Sequence, residues 1–423
     1  MDIPAAWLSI TGEPLDLNTQ ESFLAYGVVT RSLDTRTSAV VAIKQLHISS
    51  SERHNGIPIT TLREISILRS LRHRNIVNVL DVAVGEDKLE DVFMVMEYCE
   101  QVGTLVYSRW LMLASALEVE VVRAGVMQDM ASLMDELKVK FTLSQVKCLA
   151  RQLLEGLEYI HRNDIIHRDV KLQNLLLTAK GVLKLADFGL SRRYSARPLT
   201  PGVVTIWYRA PEILLGTAHY TPSIDLWSAG LIISELLLNE PVLPAETPIA
   251  QLAAIVKLLG TPTKEDVEAL RELGCPGLVR WQRDGMPSGR ADNLARRFEG
   301  VATEGTLKFL KGLLRWDMRE RWTATEALGR SRRPPRNAEH WWTESPRAVE
   351  KEMLPTFLEV RNAAGGSSGK RKLEVPERVK EGKKHGVDEG AGKEFGGYAF
   401  DFGGGDGDGD GAGVVKGVKR VMR

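Results

Sequence analysis

His167-Arg168-Asp169-Val170-Lys171-Leu172-Gln173-Asn174, followed thirteen residues after Asn174 by Asp187-Phe188-Gly189, is the stretch on which the fold turns. Apolar residues precede each half, within Tyr159–Ile166 and Val182–Ala186, so both acidic groups fall on loops at the ends of buried elements. Phosphoryl transfer asks for such a set: a carboxylate to orient the attacking hydroxyl and accept its proton, and oxygen ligands to hold magnesium on the phosphates. Asp169 suits the first role, Asn174 and Asp187 the second. Lys171 can neutralise charge on the transferred phosphate, and a lysine two residues after the aspartate points to Ser or Thr as acceptor. Taken singly, each is an ordinary loop residue; the joint spacing carries the chemistry.

The surroundings allow an enzyme of this size. The 423 residues suit a two-lobed protein plus a tail. With 43% hydrophobic and 26% charged residues, the chain is neither collagenous nor wholly disordered nor membrane-spanning. Charge-free apolar stretches such as Leu226–Ser234 are far short of the roughly 18 residues that cross a bilayer, and Met1–Trp7 lacks a basic segment followed by an apolar one. No membrane partner is expected. Three cysteines, Cys99, Cys148 and Cys275, have neither even number nor metal-ligand spacing, which fits a reducing compartment.

Val40–Lys44 and Phe93–Met96 read as short strands, whereas Leu143–His161, Ile224–Leu238 and Leu252–Leu259 carry helical spacing. Strands early and helices late make an α+β arrangement, with a small β-rich N lobe and a larger helical C lobe. From about residue 363 the composition turns to Gly, Lys and Asp, including an alternating Gly/Asp run over Gly403–Gly411, and a disordered tail is expected.

The two loops resemble the catalytic and metal-binding loops of the protein kinase family, whose two-lobed fold the resemblance implies. Further marks then align. Lys44, in Val41-Ala42-Ile43-Lys44, matches the strand lysine on the α and β phosphates of ATP, and Glu64 its helical partner. Gly27, Val29, Ala42, Glu97, Cys99, Asp129 and Leu176 fall on the family's nucleotide-binding positions, with Asp129 matching the residue used on the ribose. Thr205 joins Asp169, Lys171 and Asn174 in the catalytic set. Glu212 of Ala210-Pro211-Glu212 expects Arg321 as its partner, and Asp225 matches the buried aspartate that holds the catalytic loop.

The segment Pro58-Ile59-Thr60-Thr61-Leu62-Arg63-Glu64 resembles the PITSLRE and PISSLRE variants of the cyclin-binding helix in cyclin-dependent kinases, over residues 27 to about 329. That resemblance implies a cyclin-like partner docked on this helix, ATP and Mg2+ as cofactors, and a nuclear and cytoplasmic location. It also implies an activating phosphate on Thr200 held by Arg63, Arg168 and Arg192, inhibitory control at Tyr26, and a pocket shaped by Val204 and Arg209. In relatives the valine carbonyl of that pocket is turned away, so proline, which has no N–H, fits after the acceptor; the substrate is then a protein with Ser-Pro or Thr-Pro. Lys370-Arg371-Lys372 can serve nuclear import, and without interleaved aromatics the basic tail gives no support to nucleic-acid binding.

The expected divisions are an atypical N-terminus at 1–21, N lobe and hinge at 22–99, C lobe at 100–329, an extension at 330–362 and the tail at 363–423. Departures from the family concentrate in two places. Ser22-Phe23-Leu24-Ala25-Tyr26-Gly27 falls on G-x-G-x-x-G, leaving only Gly27 of three glycines, and residues 1–20 show no convincing first strand. A misread first exon or a pseudokinase with impaired ATP binding would each explain this. The insertion Val102–Gln128 is 27 residues, a whole number of codons, and reads as a translated intron, with a true surface insertion carrying a helix over Leu111–Val122 as the alternative. Leu172 also replaces a usual proline, and the activation loop is two residues short.

Overall fold

The computed structural model describes residues 7–9, 14–15, 17–20, 23–24, 27–34, 37–46, 59–85, 92–99, 129–135, 138–178, 180–194, 205–350 and 354. Expectations placed on Tyr26, Pro58, 102–128, Thr200, Val204 and 363–423 lie outside them.

The early part of the chain builds one sheet from β1 (Trp7–Ser9), β2 (Pro14–Leu15), β3 (Leu17–Gln20), β4 (Phe23–Leu24), β5 (Gly27–Asp34), β6 (Ala39–Leu46), β7 (Val79–Gly85) and β8 (Val92–Glu97). Their order is β2-β1-β7-β8-β6-β5-β3, with β4 also paired to β5. The expected strands at 40–44 and 93–96 are thus present, each slightly longer. The expectation of no first strand is corrected: Leu17–Gln20 pairs antiparallel with Arg31–Asp34, and Trp7–Ser9 with Ala83–Gly85. Leu-Asn-Thr-Gln lacks the apolar alternation that marks a strand, and its place is set by backbone pairing with a neighbour.

The helix Ile59–Ser70 follows β6 and buries Thr61, Glu64, Ile65 and Leu68, an i, i+3, i+4, i+7 stripe, while Leu62 is 48% exposed on another side. The C lobe is organised on Leu143–Arg162 and Ser223–Leu238. Thr142 opens the first with a reciprocal capping box to Gln145. The second is apolar almost all round and buried along nearly its whole length, as a helix at the centre of a lobe must be. Pro248–Leu259 begins four residues before the expected Leu252, because Thr247 caps it and Pro248 occupies its first turn.

A final helix, Arg336–Thr343, closes the lobe. Trp341 is fully buried, its ring centroid 3.8 Å from that of Phe309 and 5.6 Å from the Lys147 Nζ. Trp342 donates Nε1–H to the Ala327 carbonyl at 2.7 Å, and the buried Lys147 donates to the Glu344 carbonyl at 3.1 Å. Among the described residues, no helix is long and apolar enough to cross a membrane.

Candidate active site

Two short elements present the catalytic loop: strand Ile165–Ile166, paired with Arg192–Arg193, leads in, and the 3-10 turn Leu172–Asn174 leads out. Between them Arg168 adopts φ 69°, and further along Asp187 adopts φ 59°. Left-handed backbone at such side chains is costly and persists only where neighbours fix it. For Arg168 that neighbour is Asp225, in the first turn of Ser223–Leu238. Its carboxylate accepts the backbone N–H groups of His167 and Arg168 at 2.9 Å each and meets His161 Nε2 at 2.9 Å. Burial alone would raise the Asp225 pKa; the His161 bond, the His161 and His167 charges and the Arg168 amide outweigh it and hold the carboxyl low.

That anchoring positions the loop that carries Asp169. Asp169 lies 2.7 Å from Lys171 Nζ, and Asn174 Nδ2 donates to its carbonyl at 2.8 Å and its carboxylate at 3.0 Å. The amide oxygen of Asn174 is thereby turned the other way. Thr205 Oγ1 is 3.5 Å from Asp169 Oδ1, at the outer edge of a hydrogen bond. Arg209 lies near enough for the Asp169 charge to favour its cationic form, although burial lowers its pKa overall.

Lys44 joins the lobes. Its Nζ sits 3.1 Å from Glu64 Oε1 and 2.9 Å from Asp187 Oδ1. Burial works against both charges, yet the mutual attraction wins: Lys44 is shifted up and Asp187 down, so both are ionised at neutral pH. Phe188 is fully buried with its ring edge-on to His167 at 4.7 Å, and His167 Nε2 faces the Ala186 carbonyl at 3.0 Å, so the segments carrying Asp169 and Asp187 are packed and bonded to each other.

Above Lys44, β5 places Val29 opposite it in register, and β4 returns Leu24 opposite Gly27. The hairpin of the phosphate-covering loop therefore forms although two of its glycines are replaced. Ala42, Cys99 and Leu176 are buried in one apolar cluster, with burial pushing the Cys99 thiol up to about 12. Glu97 is more constrained than the sequence suggests: its carboxylate accepts from Asn78 and from Lys184 at 2.8 Å, and its own N–H goes to the Asn78 carbonyl. These bonds fall on one carboxylate oxygen, Oε1, and fix the side chain at the hinge. Asp129 pairs with Leu176 in an isolated bridge and caps the helix Met130–Asp135 through Ser132 N–H at 2.9 Å, while burial raises its pKa.

The arginine trio is also brought together. Arg192 has its pKa lowered by burial and then by the charges of Arg168 and Arg63, the behaviour of cations brought near one another. The sequence gives no sign of Tyr220, whose hydroxyl accepts from Arg168 Nη1 at 2.6 Å while Arg168 Nε donates to the Leu190 carbonyl at 2.7 Å. Tyr220 is 52 residues away in sequence, and only the fold shows the pair.

Comparison with known proteins places this geometry. Residues 25–331 match the model of the protein kinase domain. Human cyclin-dependent kinase 10 is 40% identical over 339 residues, covering 80% of this chain and 82% of the human one. Cyclin-dependent kinase G-2 of indica rice is 38% identical over 337 residues, covering 78% of this chain and 42% of that longer relative. Among solved structures, the yeast RNA Pol II CTD kinase CTDK-1 complex matches with a TM-score of 0.63 and 28% identity, over 79% of this chain and 96% of that chain. The CAK complex of Chaetomium thermophilum bound to ATP-gamma-S matches at 0.65 and 28%, over 83% and 95%.

Proposed function

The chain belongs to the cyclin-dependent kinase family of serine/threonine protein kinases, and from this premise we propose that it phosphorylates Ser-Pro and Thr-Pro sites of proteins when a cyclin-like subunit docks on Ile59–Ser70. The observation that carries the reading is Lys44 held between Glu64 and Asp187, opposite an Asp169 already bonded to Lys171 and Asn174. ATP, the substrate of a protein kinase, supplies the γ-phosphoryl group. Asp169 orients the acceptor hydroxyl and takes its proton, Lys171 offsets negative charge beside it, and Lys44 steadies the phosphates. The Asn174 amide oxygen and the Asp187 carboxylate are suited to Mg2+. Among the described residues no cluster of three or more His, Cys, Asp or Glu could hold a metal alone, so Mg2+ here would take its remaining oxygens from phosphate and water.

Exposed Leu62 supports docking of a partner on the helix, and the Arg63, Arg168 and Arg192 trio supports a phosphate on Thr200. Arg209 beside Asp169 supports the Ser-Pro and Thr-Pro preference, and Lys370-Arg371-Lys372 supports nuclear entry. The test is transfer of labelled phosphate from Mg-ATP to a Ser-Pro peptide and its Ser-Ala counterpart, with and without a co-expressed cyclin. Cyclin-independent transfer, or equal use of both peptides, would overturn the corresponding part. A second reading, a cyclin-binding pseudokinase, is favoured by Gly27 standing alone in the phosphate-covering loop. It requires that Mg-ATP produce no thermal shift even with cyclin present.

A further inference from the structure

On the face formed by the helices Leu143–Arg162 and Arg336–Thr343, with Arg74 at its edge, lies a cleft of about 750 Å³. Five of its eleven lining residues, including Arg336, Glu339 and Trp342, come from beyond residue 331, where the match to the kinase domain ends. We propose that this cleft is a docking site for a phosphorylated segment of a partner protein.

Four arginines line it, Arg74, Arg151, Arg330 and Arg336, against two glutamates, Glu155 and Glu339. Glu155 is buried and accepts from both Arg74 and Arg330, which sets two guanidinium groups side by side. Arg330 also donates to Glu158 at 3.0 Å. A guanidinium has five N–H donors, so after these bonds both arginines keep donors for an anion. Arg151 is exposed and lies 4.9 Å over the Trp342 ring, and Arg336 is exposed with no carboxylate partner among the described residues.

Charge complementarity therefore calls for an anion, and the fixed forks favour a phosphate dianion, whose three acceptor oxygens suit several arginines at once. The same lining argues against a nucleic acid. Its successive phosphates would meet Glu339 as well as the arginines, whereas a peptide with one phosphate can set a backbone N–H or a lysine there. Leu328 and Trp342 add an apolar wall for a neighbouring side chain.

The test uses the full chain and three fluorescent probes: an acidic peptide with one phosphothreonine, its threonine counterpart, and a single-stranded RNA of similar charge. Anisotropy is expected to show at least tenfold tighter binding of the phosphopeptide than of either other probe. The Arg151→Ala/Arg336→Ala protein should lose that difference while keeping wild-type melting temperature and wild-type phosphorylation of a short Ser-Pro peptide. Equal binding of the two peptides, tighter binding of RNA, or phosphopeptide binding unchanged in the double variant would each overturn the proposal. Because basal phosphorylation is read separately, a failure of docking is distinguished from a failure of kinase activity.

Discussion

Glu212 and Arg321 meet in a two-pronged pair, each nitrogen 2.6 Å from its oxygen, with neither side chain exposed. Arg321 also donates Nε–H to the Arg315 carbonyl and lies 5.0 Å over the Trp227 ring. The pair ties the start of the helix Pro211–Leu214 to a segment 109 residues later. Removing one member strands a buried charge, a loss of about 3–5 kcal/mol. Arg321→Met and Glu212→Leu are each expected to lower the melting temperature sharply, and the double variant to lose less than the two losses added. Strict additivity in thermal unfolding would show that the pair is not coupled.

Asp169→Asn and Asp187→Asn preserve volume and remove charge where the mechanism needs it. Each should lower turnover on a Ser-Pro peptide by roughly 100-fold or more with the fold intact by circular dichroism, and Lys44→Met should follow. Wild-type turnover in any purified variant would remove that residue from its role.

Thr200→Ala should lower activity of the cyclin-bound kinase by leaving Arg63, Arg168 and Arg192 without their anion. Tyr220→Phe deletes one oxygen and leaves Arg168 Nη1 without its 2.6 Å partner. Its effect should appear as faster phosphatase release of phosphate from Thr200, with activity on unphosphorylated enzyme unchanged. Identical release rates would assign Tyr220 to packing alone.

Glu235, the acceptor of the Tyr208 hydroxyl at 2.7 Å, is pushed up to about 7 by burial, with the Asp135 charge adding to the shift. A carboxyl raised on folding holds its proton longer in the folded chain. Its contribution is fully present below about 4.5, its ordinary value, and is lost as pH rises to about 7. The whole change is roughly 3 kcal/mol. Depressed Asp225 acts oppositely, with stability lost as pH falls through its folded pKa. Urea unfolding of Glu235→Gln across pH 5 to 7 should show a weaker decline than wild type; parallel curves would refute the assignment.

Trypsin digestion of the native protein is expected to yield one peptide running from Leu89 through Gln101 directly into Asp129 and on to Lys138. Detection of Trp110–Arg123, which lies wholly within the insertion, would instead establish that Val102–Gln128 is translated and retained.

Much of the site is legible in the sequence because its chemistry is written in short strings: Asp169, Lys171 and Asn174 fall within six residues, and Asp187 follows closely. Their three-dimensional support is not. Lys184 bonding Glu97, Tyr220 bonding Arg168 and Lys147 bonding Glu344 join residues 87, 52 and 197 positions apart, with no periodic signal to announce them. The same limit applies to Leu17–Gln20, which is a strand by virtue of its pairing with Arg31–Asp34 rather than its composition.

Trp341 gives the folded body an edge that lies past the residues matched to the kinase domain. A premature stop or a frameshift between codons 332 and 341 would spare every motif and still uncover Phe309 and Lys147, exchanging a dry aromatic seam for water. Such alleles would behave as loss-of-abundance lesions, cleared by proteolysis, rather than as enzymes with altered turnover.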